Sequence, residues 1–472
     1  MTAPTDPALL TIAEARRLLA ARALSAVELT TATLDRIAAL NPALNAYLRT
    51  DPEAALAQAR AADRRVAAGG DGDGGGQPLL GIPVCVKDVV DVLGTDTTAG
   101  SAGWRRTPTR DAGAARRLRE AGAILLANGN TNEFAYGIDG LNPHRGDCRN
   151  PYDPARMSGG SSSGPAVATA TGMALGGLGT DTTGSIRVPA SLCGLAGIRP
   201  TLGLVSRAGV VPLAWSYDTV GPLARTVDDV AILLGAVAGH DPNDPTSADR
   251  PAEDYRPGPD PDVRGLRLGL VEELVELTDA AVAEGVAAAA DHLATLGAEI
   301  VPLRVDLLRH APAIHRVVQH AESARVHEPW FGAQRDRYAP PVRVRIEAGR
   351  GIPATAYLAA QQARRLLVED VARSMRGVDA MLAPTAAVAA PPRDAAAVTV
   401  RGRRVPVRDA LLGCVLPISQ LGCPAASVAI GDDSGLPFGL QVVGRPFAEA
   451  LVLRVAAACE RRRPWADHRP SV

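Results

Sequence analysis

The chain has 472 residues, 46% of them hydrophobic, which is ample for a large buried core, although aromatic residues make up only 3%. A formal net charge of −1 argues against a dominant electrostatic partner such as nucleic acid or an anionic membrane surface. The six cysteines form no CxxC pair and do not cluster with the eight histidines, which speaks against a zinc site and for free thiols in a reducing compartment. With no apolar run long enough to span a bilayer and no leader-like segment, a cytoplasmic protein is expected.

In chain order, residues 11–48 read as helical. Thr11 with Glu14 and Ser25 with Glu28 have capping-box spacing, and Leu18, Leu29, Leu34, Ile37 and Leu40 recur at roughly helical intervals. A further helix over 52–67 leads into a glycine-rich stretch, 67–77, read as a flexible surface connection. The first 67 residues are therefore expected to be a helical segment bracing a catalytic body over 68–472. From Gly81 onward strand and helix alternate: a strand over 82–86, a helix over 111–121 and a strand over 124–127 predict an α/β sheet covered by helices. Residues 130–152 read as loop. Pro165 suits the first turn of a helix running to about residue 175, and 178–180 read as approaching a second tight turn.

Beyond residue 263 the sequence predicts strands over 266–271 and 299–305 on either side of a helix over 279–296. Residues 307–350 carry His310, His315, His320 and His327 with Trp330, Phe331 and Tyr338 in an otherwise aromatic-poor chain. The histidine spacing is not that of a metal-binding helix, so no metal and no cofactor are expected, and this stretch is instead the candidate wall of a substrate pocket within a variable region, 263–350. A helix over 354–373, strands over 378–383 and 438–443 and a closing helix over 449–461 complete the reading.

The chemistry concentrates in residues 156–200, where glycine, serine and threonine imply tight turns around hydroxyls. Ser161 follows Gly159 and Gly160; Ser185 follows Thr183 and Gly184. Lys87 is the sole lysine of the chain, every other member of the Lys and Arg total being arginine. Arginine supplies a fixed charge but does not give up its proton, so a site needing a neutral amine must keep lysine. The apolar run GIPVCVKD that ends beside Lys87 is a setting that desolvates an ammonium and lowers its pKa.

Lys87 in GIPVCVKD, Ser161 in GGSSSG, Ser185 in GTDTTGSIRVPASLCGLAGIRP and the intervening TNEFAYG resemble the amidase signature family of serine hydrolases, in type, order and spacing. That resemblance implies a fold, a single large α/β domain with a mixed, twisted central sheet between helical layers. It also implies roles: Ser185 as the nucleophile that forms an acyl-enzyme, Ser161 as a proton-relay serine beside a cis peptide bond, and Lys87 as general base. The cis bond falls either between Gly160 and Ser161 or between Ser161 and Ser162. The backbone N–H groups of Thr182, Thr183, Gly184 and Ser185 are expected to form the oxyanion hole. The family commonly has two glycines before the nucleophile, where this chain has Thr183 and Gly184.

Two other readings compete. Residues 160–164 also spell GxSxG, the nucleophile elbow of α/β-hydrolases, with Ser162 as nucleophile and His240, His292 or His468 as its base, but that leaves the single lysine without a role. The chain also resembles the A subunit of the tRNA-dependent amidotransferases, in which ammonia released from glutamine travels to a partner that modifies charged tRNA. The favoured expectation is a free-standing amidase that cleaves the C–N bond of a small carboxamide, with no nucleic acid or membrane partner and a homodimer as the default assembly; the amidotransferase subunit is the alternative.

Overall fold

Both capping boxes form. Thr11 and Ser25 accept hydrogen bonds from the backbone N–H of Glu14 and Glu28, whose carboxylates reach back to the cap N–H groups, and so start the helices Ile12–Ala20 and Ala26–Leu44. Asp51 caps the next helix, Pro52–Ala67. The computed structural model describes residues 6–69, 76–251, 253–431, 435–462, 465 and 468–470; the centre of the glycine-rich connection, 70–75, lies outside them.

Strands β1 (Pro83–Lys87), β2 (Ile124–Gly129), β3 (Gly176–Asp181), β4 (Ala196–Arg199), β5 (Thr219–Ala224), β6 (Arg267–Val271), β7 (Glu299–Leu303), β8 (Ala380–Pro384), β11 (Ala425–Gly431) and β12 (Pro437–Val443) build one ten-stranded sheet. Its order is β2-β1-β3-β5-β4-β11-β12-β8-β6-β7. A separate hairpin pairs β9 (Ala397–Val400) with β10 (Arg403–Pro406). The sheet is mixed: β2, β1 and β3 run parallel at one end, β8, β6 and β7 run parallel at the other, and the strands between them pair antiparallel. With helices flanking this sheet, the chain is the single large α/β domain expected. β1, β3 and β5 are buried along their whole length, as strands covered on both faces must be, which is why they read as apolar or glycine runs rather than as alternating patterns.

Two departures from the sequence reading have physical causes. The helix expected to reach residue 175 is Ser163–Ala170; Gly172 takes a φ of +75°, and the chain turns into β3. Residues 307–350, to which the sequence assigned no regular element, form the long helix Ala311–Gln334 and the helix Pro340–Arg350. The buried face of the first carries His315, Gln319, Glu322, Ser323 and His327 beside its apolar residues, so the amphipathic pattern that announces a helix is blurred. All six cysteines are buried and unpaired. Among the described residues no helix is long and apolar enough to cross a membrane.

Candidate active site

Strand pairing brings the three singled-out residues toward one place. β1 and β3 are parallel neighbours with Val86 opposite Leu178, so Lys87, at the end of β1, lies beside the last residues of β3 and the turn that follows them. The helix Ser163–Ala170, whose entry holds Ser161, packs on the same two strands. It can come this close because β3 is rich in glycine: a Cβ at Gly177 would lie 2.8 Å from Pro165 Cβ, and one at Gly179 would lie 2.6 Å from Ser162 Oγ.

Lys87 is fully buried, with Nζ 2.8 Å from Ser161 Oγ and 2.8 Å from Thr180 Oγ1. Burial drags its pKa down to about 7, against the opposing pull of Asp181 and Asp218, so near neutrality much of this amine carries no charge. The peptide bond between Gly160 and Ser161 is cis. Ser162 N–H donates to the Ser185 carbonyl at 3.1 Å, tying the two serine segments together. The hydroxyl of Ser162 is turned into the sheet, donating to Thr180 O at 3.1 Å and accepting from Thr180 N at 3.2 Å. None of the nominated histidines is hydrogen-bonded to it: His240 and His468 are exposed at the surface, and His292 sits on the helix Ala280–Thr295. Ser162 is thus spoken for structurally.

The turn carrying Ser185 is held from beneath by charge. Asp181, fully buried, accepts from the N–H of Gly184 at 2.6 Å and of Ile186 at 3.2 Å. Arg187 forks onto both its oxygens at 3.1 Å each, and Arg199 reaches one of them at 3.3 Å. These guanidiniums hold the Asp181 carboxyl well below the usual carboxylate range despite its burial. Arg187 also donates to Gln441 Oε1 at 2.9 Å and Ser419 Oγ at 2.7 Å, so each nitrogen of this guanidinium is hydrogen-bonded, the condition under which buried charge is tolerated. Gly184 has a φ of +111°, and a Cβ there would lie 2.5 Å from Val415, so this glycine is obligatory. Thr183 is not among the residues with positive φ, which is why a side chain can replace the family's usual glycine there. Of the four N–H groups expected to face an oxyanion, that of Gly184 is engaged by Asp181. Those of Thr182, Thr183 and Ser185 meet no protein acceptor among the described residues.

A cavity of about 90 Å³ opens at Ser185, with Thr183, Gln319, Arg345, Arg408 and Leu412 among its walls. A second, of about 400 Å³, reaches the other side of the same turn at Thr180, Thr182 and Asp218, with the exposed Trp215 on its wall. Asp218 accepts from Thr182 Oγ1 at 2.6 Å and from the N–H groups of Leu213 and Ala214. Of the stretch 307–350, Gln319 and Arg345 line the smaller cavity, and His315 Nε2 lies 3.1 Å from Thr183 Oγ1. Its aromatic residues do not: His327, Trp330 and Tyr338 cluster with Phe134 and Trp104. Among the described residues no group of His, Cys, Asp and Glu is arranged to hold a metal ion.

Sequence reasoning missed Thr180, Asp218, Arg345 and Arg408. Thr180 and Asp181 are adjacent on β3, and because side chains alternate along a strand they point to opposite faces. The other three carry no local signal in a chain so rich in arginine and aspartate.

The amidase family model matches residues 28–453. The chain is 40% identical to the A subunit of the glutamyl-tRNA(Gln) amidotransferase of Chloroflexus aurantiacus, covering 98% of each, and 40% identical to that of Geobacter metallireducens, covering 97% of this chain and 98% of the relative. Among solved structures it is similar to a chain from a protein complex studied for the evolutionary origins of an s-triazine catabolic enzyme (TM-score 0.90, 34% identity, 96% and 98% covered). It also resembles the peptide amidase of Stenotrophomonas maltophilia (TM-score 0.82, 32%, 96% and 96%) and the A subunit of the glutamyl-tRNA(Gln) amidotransferase of Thermotoga maritima (TM-score 0.79, 30%, 97% and 95%). The favoured expectation from sequence, a free-standing amidase acting on a small-molecule carboxamide with a homodimer as the default assembly, is corrected by the Chloroflexus aurantiacus and Geobacter metallireducens relatives, which are named as A subunits of a glutamyl-tRNA(Gln) amidotransferase. The cause of the error is that Lys87, Ser161 and Ser185 suit either kind of protein, so those three residues do not choose between them.

Proposed function

The chain belongs to the amidase family, hydrolases that act on C–N bonds, and from that membership we propose that it is the amide-cleaving subunit of a glutamine-dependent tRNA amidotransferase, releasing ammonia from glutamine. The observation that carries this reading is 40% identity to the A subunit of a glutamyl-tRNA(Gln) amidotransferase along 98% of both chains. In the proposed mechanism Ser185 attacks the carboxamide carbon. Serine is a weak nucleophile and must lose its proton as it attacks, so Ser161 takes that proton and passes its own to the neutral Lys87, 2.8 Å away. Thr180 Oγ1 accepts one N–H of Lys87 and so aims the amine's lone pair at Ser161. The oxyanion is held by the N–H groups of Thr182, Thr183 and Ser185, donors worth a few kcal/mol each in transition-state stabilisation. Gly184, whose N–H is bound to Asp181, shapes the turn instead. The relay run backwards protonates the departing ammonia, and water then releases the acyl group from Ser185.

Arg345 and Arg408 on the cavity wall support an acyl group that carries a carboxylate, as glutamine's does. We assign residues 263–350 to the substrate pocket on the strength of Gln319 and Arg345, and residues 1–67 to bracing the body over 68–472.

The test is ammonia release from glutamine by the full chain, with Ser185→Ala as control, repeated after adding the remaining subunits of such an amidotransferase. Ser185-dependent release, and transfer of the amide nitrogen to tRNA-bound glutamate once those subunits are present, is the expected result. Release from other amides with none from glutamine, alone or assembled, would overturn the reading.

A further inference from the structure

The position that departs from the family's usual glycine is wired into a directional chain of hydrogen bonds. Gln420 is fully buried, and its amide nitrogen lies 3.3 Å from Leu416 O, an atom that can only accept; this sets which end of the amide is Nε2. Tyr217 O–H donates to Gln420 Oε1 at 2.8 Å, consistent with that orientation. Gln420 Nε2 also lies 3.2 Å from His315 Nδ1 and so donates to it, which leaves the proton of the neutral imidazole on Nε2. His315 Nε2–H then donates to Thr183 Oγ1 at 3.1 Å, and Gln319 Nε2 donates to the same oxygen at 3.3 Å.

A threonine hydroxyl has two acceptor sites and one hydrogen. Both acceptor sites of Thr183 are filled from the helix Ala311–Gln334, and the hydrogen is left over. Among the described residues it has no protein acceptor, and Thr183 lines the cavity beside Ser185. The charges facing that cavity leave an anion welcome. Arg345 is tied to Tyr136 O and lies over the Tyr136 ring, and neither it nor Arg408 is ion-paired with any described residue. Burial first, and the neighbouring Arg345 guanidinium second, disfavour the charge on Arg408, and a bound carboxylate would relieve both. Asp139 also reaches this cavity, with Oδ1 occupied by Asn132 Nδ2 at 2.7 Å and Leu141 N at 3.0 Å.

We propose that Thr183 is a specificity-determining residue whose hydroxyl donates its hydrogen to a carboxylate oxygen on the acyl side of the bound amide. The proposal rests on the amide-cleaving role assigned to Ser185 and adds the selected class: amides whose acyl group carries a carboxylate. A glycine at this position offers no such donor, and valine fills the same space without one.

The test is a saturation-transfer NMR titration of the full chain carrying S185A, so that nothing turns over, with glutaramate and with butyramide, which lacks only the carboxylate. T183V and T183G are expected to weaken glutaramate about tenfold while leaving butyramide within about twofold, and T183S to restore most of the glutaramate affinity. T183G and T183S guard against misfolding of T183V, since glycine and serine are no bulkier than the native side chain. Equal weakening of both ligands, an unchanged glutaramate affinity in folded T183V or T183G, or no preference for glutaramate over butyramide in the parent would overturn the proposal. The glutamine reading fails separately: if glutaramate binds in a Thr183-dependent way while glutamine neither binds nor is cleaved, the role of Thr183 stands and glutamine falls.

Discussion

Lys87 Nζ and Ser161 Oγ meet at 2.8 Å although 74 positions separate them, and they do so inside a fully buried site. Proton transfer from Ser161 to Lys87, unlike the contact itself, requires a neutral amine. An ammonium there would have no lone pair to accept a proton, and burial is what lowers the pKa to about 7. Turnover should therefore rise with pH through about 7 and fall away below it as Lys87 takes up a proton, and a rate that stays flat well into the acid range would remove Lys87 from the mechanism. Lys87→Arg, permanently charged, should lower kcat by about two to four orders of magnitude, on the order of what a positioned acid–base group contributes.

Ser162 and Ser185 make opposite predictions. Ser185→Ala should abolish acylation, whereas Ser162→Ala removes a hydroxyl that only braces Thr180 and should keep turnover within about tenfold while costing about 1–2 kcal/mol of stability. Mass spectrometry of the acyl-enzyme and a urea melt of each variant would separate them. A loss of acylation in Ser162→Ala matching that of Ser185→Ala would restore the nucleophile-elbow reading.

Asp181→Ala leaves Arg187 and Arg199 buried without their counter-charge and removes the cap on Gly184 N–H. Breaking a buried pair from one side costs about 3–5 kcal/mol. Denaturant unfolding should show that loss, and the folded fraction should still turn over slowly, because the N–H groups proposed to hold the oxyanion are no longer aimed. Normal kcat in the folded variant would mean that the ion pair serves stability alone.

Gly179→Ala places a methyl 2.6 Å from Ser162 Oγ and 2.8 Å from Ser162 Cβ. The backbone of β3 cannot yield, so the serine segment must shift, at a cost of about 1–3 kcal/mol for overpacking. Since Ser161 is the next residue, kcat should fall by about tenfold or more, a larger effect than the change in Tm implies for a site that merely loosens. Unchanged kinetics would show that the relay tolerates displacement.

Much was legible before folding because it is written in local chemistry. A single lysine at the end of an apolar run, two serines behind glycines, and the capping residues of the first helices each announce themselves within a few positions of the chain. Strand and helix order, and with it the α/β class, followed from the same short-range patterns. The helix Ala311–Gln334 did not, since its buried polar residues are stabilised by partners such as Thr183, Tyr136 and Ser216 that lie more than a hundred positions away. Arg345 and Arg408 were equally silent: nothing in their neighbours distinguishes a pocket arginine from a surface one until the chain is closed around Ser185. Nor could Lys87, Ser161 and Ser185 say which amide is cleaved or with what partners, because that choice is made by residues the nucleophile meets only in three dimensions. Periodicity, caps and the motifs that hold Lys87, Ser161 and Ser185 are short-range properties and survive in one dimension; the ionic support of the turn at Ser185 and the partners of the Thr183 hydroxyl arise from contacts between distant segments and exist only once the chain has folded.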